Sequence, residues 1–147
     1  MKKPLVIIVT VIILSLAYWL ISPLLIDKKV SEEFPQGIVS EPVLYRSGTF
    51  TGFDSIHYGS GGVKVYKTDE GYVIRFEDNF NVANGPDLYV GLGRNGEYVE
   101  GAQLERLKGN IGSQNYVVPA DINLEDYNEV WIWCRSFSVP FAKALLK

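Results

Sequence analysis

The sequence predicts an all-β protein: an antiparallel β-sandwich or barrel of short strands, preceded by one N-terminal transmembrane helix. Three observations support this prediction. Residues 5–26 form a run of 22 residues without a charge. From residue 43 onward, short segments rich in β-branched and aromatic residues alternate with turns. The 147 residues, of which 47% are hydrophobic and 13% aromatic, leave room for one domain and one anchor.

The N-terminal run is long enough to cross a bilayer. At about 1.5 Å per residue, a helix over residues 5–26 would be roughly 33 Å long. Tyr18 and Trp19 are amphipathic rings of the kind found at membrane interfaces. A cleaved signal peptide is the alternative, but the apolar run continues past the small residues at which cleavage would occur. We therefore predict an uncleaved anchor at 5–26, after a short basic tail at 1–4.

The charges around the anchor indicate its orientation. Lys2 and Lys3 favour an N-terminus inside the cell. Lys28 and Lys29, on the other side of the apolar run, weaken this preference. This predicts a single-pass protein of the cell membrane with its C-terminal domain outside the cytoplasm. After the apolar run there are 12 basic and 17 acidic side chains, with no basic cluster. Because a nucleic-acid binder must neutralise phosphates, we predict no nucleic-acid partner.

The rest of the chain divides into a linker and a domain. Residues 27–42 are polar, contain two prolines and show no regular period, which predicts a linker. The domain covers residues 43–147. Within it, residues 63–67 and 72–76 alternate on either side of a turn, which predicts a hairpin. The other predicted strands cover residues 48–50, 56–58, 87–92, 101–107, 115–118, 130–135 and 139–145.

Only two residues carry candidate chemistry, because most enzyme signatures are absent. The chain has one cysteine and one histidine, so neither a zinc quartet of these residues nor a CxxC pair can form. It also lacks a GxSxG elbow and a Walker phosphate loop. Cys134 is the candidate redox thiol or ligand, and His57 is the candidate second ligand. If they converge, their donor atoms suit haem iron or another metal ion.

Residue type alone leaves both candidates open. Cys134 is either a core thiol that packs as a small hydrophobe or a thiol that reacts. His57 is either a structural or surface imidazole, or a ligand. Alternation along the predicted strand places Val130, Ile132 and Cys134 on one face. The opposite face then carries Trp131, Trp133 and Arg135.

Several short motifs occur in order along the domain, at residues 48–50, 57–61, 84–88, 107–116, 133–135, 137–139 and 141–145. With these motifs, the stretch from Ser47 to Leu145 resembles the DM thirteen domain, a family labelled as an electron-transfer domain. The resemblance implies a secreted or membrane-attached β-rich module, and the family's characteristic cysteine falls on Cys134. Animal relatives join the domain to DOMON domains, which are β-sandwiches that bind haem or sugar.

Two functions of different classes are expected from these observations. The first is a membrane-anchored extracytoplasmic redox or electron-transfer module that uses Cys134 with an envelope redox partner. In that function the cysteine acts alone, or with a metal ion or haem held partly by His57. The second is a non-catalytic β-sandwich that binds an envelope glycan, a small ligand or a protein. A hydrolase is the weakest interpretation, because no nucleophile–base pair is apparent.

Overall fold

The computed structural model describes residues 3–35 and 41–147. Residues 1–2 of the predicted tail and 36–40 of the predicted linker lie outside the described residues. Within the described parts, one α-helix, α1 (Lys3–Leu25), precedes ten β-strands, and a short 3-10 helix, Leu124–Asp126, lies before the ninth strand. The strands are β1 (Val43–Gly52), β2 (Gly59–Ser60), β3 (Gly62–Thr68), β4 (Gly71–Phe76), β5 (Asn81–Val82), β6 (Leu88–Arg94), β7 (Glu97–Arg106), β8 (Gln114–Val117), β9 (Glu129–Cys134) and β10 (Val139–Leu145).

Helix α1 forms where the sequence predicts the anchor. Most of the apolar side chains that the structure describes along it are exposed; Leu5, Ile7 and Leu14 each have at least half of their surface accessible. Over the described residues, however, no helix combines the length and the apolar character that a membrane crossing needs. The predicted helix is therefore confirmed, whereas its predicted role as a transmembrane span is not supported.

Eight strands form one antiparallel sheet in the order β7-β6-β9-β10-β1-β3-β4-β8. Strands twist with a fixed hand, and bulges increase the local twist. Register shifts of this kind occur within β1, β6 and β10. The sheet consequently curls into a half-barrel around one core, while β2 and β5 pair separately as a short ribbon. The predicted antiparallel all-β class is confirmed, in the form of one curled sheet.

The predicted hairpin consists of β3 and β4. Val63 pairs with Phe76 and Val65 with Ile74, and all four side chains are buried. Their positions, two residues apart along each strand, place them on the inner face of the sheet. Gly71 begins β4 with a φ of 130°, a value that L side chains rarely adopt. The alternating residue pattern and the glycine at the turn therefore both favour the observed hairpin.

One predicted strand, at residues 56–58, is wrong. The chain bends there between β1 and β2, because the carboxylate Oδ1 of Asp54 accepts hydrogen bonds from two backbone amides. The donors are the amides of Ile56, at 2.8 Å, and His57, at 2.7 Å. Asp side chains stabilise turns in this way at the expense of strand pairing. Asp54 therefore fixes the loop that carries His57.

Part of the predicted linker packs on the domain. Residues 27–34, which we call the N-terminal strap, run beside the turn that precedes β8. The amide of Val30 donates to the carbonyl of Ile111, and the amide of Glu32 donates to the carbonyl of Ser113, both at 2.9 Å. Backbone hydrogen bonds therefore hold the strap against the folded domain.

Side chains of the strap reinforce this contact. The Glu32 carboxylate accepts hydrogen bonds from the ammonium of Lys108, at 3.0 Å, and the amide of Asn115, at 2.8 Å. Desolvation raises the pKa of Glu32, but these hydrogen bonds outweigh it, and the pKa lies below its usual value. Phe34 meets Tyr66 edge-on, with ring centroids 5.1 Å apart. Both polar and apolar contacts thus fix the strap.

Candidate redox site and adjoining pocket

Cys134 is a free and fully buried thiol on the inner face of β9. It lies opposite Leu88 of β6 and Val139 of β10. Residues opposed in an antiparallel pair project to the same face, with Cβ atoms about 5 Å apart. The sulfur therefore lies among aliphatic side chains. Val130 and Ile132 share its core, which confirms the predicted alternation.

His57 lies in the loop between β1 and β2. Its Nδ1 is 2.8 Å from Oδ2 of Asp54, and its ring meets Phe141 edge-on with centroids 4.7 Å apart. The hydrogen bond with His57 is the main reason that the pKa of the Asp54 carboxyl falls to about 2. Because 26% of the His57 side chain is exposed, the imidazole is accessible from solvent.

The described contacts do not bring the two predicted site residues together. No hydrogen bond between described residues joins Cys134 to His57, which meets the core through Phe141. In the same part of the chain, no three His, Cys, Asp or Glu side chains converge as a site for a metal ion. Among the described residues, neither Cys134 nor His57 therefore belongs to a cluster of three such ligands.

Asp87 connects the 84–88 turn to the cysteine motif. Its Oδ2 accepts hydrogen bonds from Ser136 Oγ at 2.8 Å and from Arg135 Nε at 3.2 Å. Its backbone carbonyl accepts the amide of Arg135 at 3.0 Å. Desolvation raises the pKa of the Asp87 carboxyl, but these side-chain bonds outweigh it, and the pKa lies below its usual value. This link between Asp87 and the cysteine motif was not predicted from the sequence. The opposite charges of Asp87 and Arg135 are the one signal that could have indicated it.

A pocket of about 590 Å³ opens beside the same turn. Its walls come from the end of α1, the strap, residues 84–88 and residues 106–110. Leu88 lines the pocket, and Leu88 is also the strand partner of Cys134. The wall of the pocket and the sulfur therefore belong to neighbouring side chains.

The other face of β9 carries an aromatic cluster. Tyr98 stacks on Trp133, with centroids 4.6 Å apart and an interplanar angle of 4°, and Trp131 lies 6.3 Å from Tyr98. Among the described residues, the buried Tyr98 hydroxyl has no hydrogen-bond partner. Desolvation, and secondly the charge of Glu100, raise the pKa of Tyr98 to about 12. The two tryptophans therefore lie across the strand from Cys134, as the alternation predicts.

The fold and the site together define a small antiparallel β domain with one buried thiol beside a pocket of ligand size. The chain belongs to the Electron transfer DM13 family, whose family model matches residues 52–146. The match includes both Cys134 and His57 and begins after the strap. The predicted resemblance is therefore confirmed, and the family identifies the protein as an electron-transfer domain at the level of class. No curated protein and no solved structure matches the chain.

Proposed function

We propose that the protein is a membrane-attached electron-transfer module of the cell envelope in which Cys134 is the redox centre. The family match supports the class of function. The observation that carries the assignment to Cys134 is its position, since the only thiol of the chain is the strand partner of a residue in the pocket wall. Apolar surroundings exclude water from such a centre and so tune its potential.

In this proposal the electron partner docks against the 84–88 turn, whose Leu88 is the strand partner of Cys134. An electron acceptor of the envelope, docked there, takes one electron and the thiol proton from Cys134. An envelope donor returns the electron, and the thiol regains its proton. We include no haem or metal ion, because Leu88 and Val139, the strand partners of Cys134, are aliphatic and His57 is engaged with Asp54.

Attachment to the membrane is supported by the exposed apolar side chains of α1. Burying such side chains in lipid is favourable by about 25 cal/mol per Å² of apolar surface. The full chain should sediment with membranes and be released by detergent, but not by high salt. Release by high salt alone would contradict attachment through the apolar side chains of this helix.

The redox assignment is tested by film voltammetry of the full chain in detergent. The wild-type protein should give a reversible wave that is absent from the Cys134→Ala variant. Val130→Ala is the matched control, because Val130 lies on the same strand and buried face but carries no thiol. A wave that persists without the thiol, or a wild-type protein without a wave, would contradict the assignment.

The complete burial of Cys134 favours a second function, that of a non-catalytic binding module for an envelope glycan, a small ligand or a protein. The thiol would then only fill the core. In that case Cys134→Ala should lower the free energy of unfolding by about 1 kcal/mol and leave the biological role intact. Urea unfolding together with complementation of a deletion strain separates the two functions.

A further inference from the structure

The lining of the pocket beside the 84–88 turn contains more cations than acids. Its residues include three cations, Lys28, Arg106 and Lys108, and one acid, Asp27. Two acids outside the lining, Glu32 and Asp87, pair with Lys108 and Arg106. Lys28 has no ion pair among the described residues, and an unpaired cation beside a cleft with low-dielectric walls attracts anions.

The single acid of the pocket is engaged in structural contacts. Oδ1 of Asp27 accepts hydrogen bonds from the side-chain amide of Asn84, at 2.9 Å, and from that of Asn110, at 2.8 Å. Asn110 in turn accepts the backbone amide of Lys28 through its side-chain oxygen. Asp27 therefore fastens the strap to the two loops that form the opposite walls.

Two of the three cations have capacity for a ligand. The ammonium of Lys108 is held by Glu32 and by the carbonyl of Asn115. Among the described residues, the ammonium of Lys28 has no hydrogen bond or ion pair, and it is exposed. Nη2 of Arg106 donates to the carbonyl of Pro86, at 2.9 Å, and lies 4.0 Å from the carboxylate of Asp87, which leaves Nη1 and Nε of the guanidinium for an anion. A guanidinium binds phosphate oxygens through two parallel hydrogen bonds.

Four of the other lining residues are apolar. Ile26, Pro86, Leu88 and Leu107 provide hydrocarbon surface, and Ser22 of α1 completes the wall. A ligand that fits both parts has an anionic head and an apolar body. From this arrangement we propose that the pocket binds a phosphate-bearing amphiphile, with its phosphate between Lys28 and Arg106 and its hydrocarbon along Ile26 and Leu107.

This inference rests on the proposed membrane attachment, since α1 would place the mouth of the pocket at the lipid surface. The phosphate then belongs to the head group of a membrane lipid. The family match begins at residue 52, so Lys28 and the strap lie outside the matched domain. The ligand site therefore depends on the segment that connects the domain to its helix.

The test uses the isotope-labelled full chain in neutral detergent micelles, titrated with short-chain phosphatidylglycerol. The backbone amides of Gly85 and Gly109, which line the pocket, report binding in NMR spectra. We expect saturable shifts, and at least tenfold weaker binding in both Lys28→Gln and Arg106→Gln. Lys67→Gln, which removes an exposed charge that does not line the pocket, should bind like the wild type.

Two further titrations identify the recognised group. Equally strong binding of short-chain phosphatidylcholine would show that the pocket does not recognise the net negative charge of the lipid, and would overturn the proposal. Equally strong binding of inorganic phosphate would overturn the lipid part of it, and the absence of saturable shifts would overturn it entirely. Cys134→Ala should retain the lipid response, so a failure of the redox assignment is distinguishable from a failure of this site.

Discussion

Gly112 lies where the strap crosses the turn that precedes β8, and its replacement by alanine should loosen the strap. A Cβ atom at this position would overlap the carbonyl oxygen of Val30. In addition, Gly112 has a φ of 94°, in the left-handed region that L side chains rarely adopt. Gly112→Ala thus combines backbone strain with a steric clash against the strap.

The expected cost follows from these two effects. Holding a non-glycine residue in a left-handed conformation costs about 1–2 kcal/mol. Displacing the strap also breaks the hydrogen bonds donated by the amides of Val30 and Glu32, each of which contributes about 1 kcal/mol. We therefore expect Gly112→Ala to lower the free energy of unfolding by about 3 kcal/mol. Detachment of the strap limits the loss, because the domain can keep the rest of its core.

Urea unfolding of the full chain in detergent, followed by circular dichroism, measures the total cost. Gly71→Ala is the matched control for strain, since Gly71 has a φ of 130° but nothing within 4 Å of an added Cβ. Gly101→Ala meets nothing within 4 Å either and should be neutral. Hydrogen exchange at Val30 and Glu32 reports the strap directly. The reasoning is refuted if Gly112→Ala costs no more than Gly71→Ala and both amides stay protected.

Two further predictions concern side chains with shifted pKa values. The Asp54 pKa of about 2 lies below the value of about 3.9 in unfolded chains, so this carboxylate stabilises the fold above pH 4, and the contribution disappears as the pH falls through 2. His57→Asn should raise the Asp54 pKa, as measured by carboxyl NMR titration; an unchanged value would exclude His57 as the cause. Tyr98→Phe removes a buried hydroxyl without a described partner, so thermal unfolding should show equal or up to about 1 kcal/mol greater stability. A loss of stability would reveal a partner for that hydroxyl.

Local patterns predicted the hairpin of β3 and β4 and the inward face of Cys134. Both depend on the alternation of neighbouring residues along one strand, which sequence displays directly. The same approach failed at residues 56–58, where apolar and aromatic residues suggested a strand. There the Asp54 carboxylate binds two backbone amides and turns the chain. A side-chain hydrogen bond thus outweighed strand propensity.

The candidate site was only partly predictable. Cys134 and His57 could be selected because each is the only residue of its type in the chain. Their surroundings could not be predicted, because strand pairing brings Leu88 to Cys134 across 46 positions of sequence. Asp87 and the pocket depend on the same long-range pairing. Likewise, nothing in the polar sequence of residues 27–34 indicated that the strap would pack on the domain.

The sequence by itself determined the antiparallel all-β class, the N-terminal helix and the family, because these depend on residue periodicity and on motifs in order. Only the tertiary structure decided that the thiol is fully buried, that His57 faces Asp54, and that the strap forms one wall of a pocket. These features arise from contacts between residues far apart in the chain. The pattern of neighbouring residues does not predict which of these contacts are favourable.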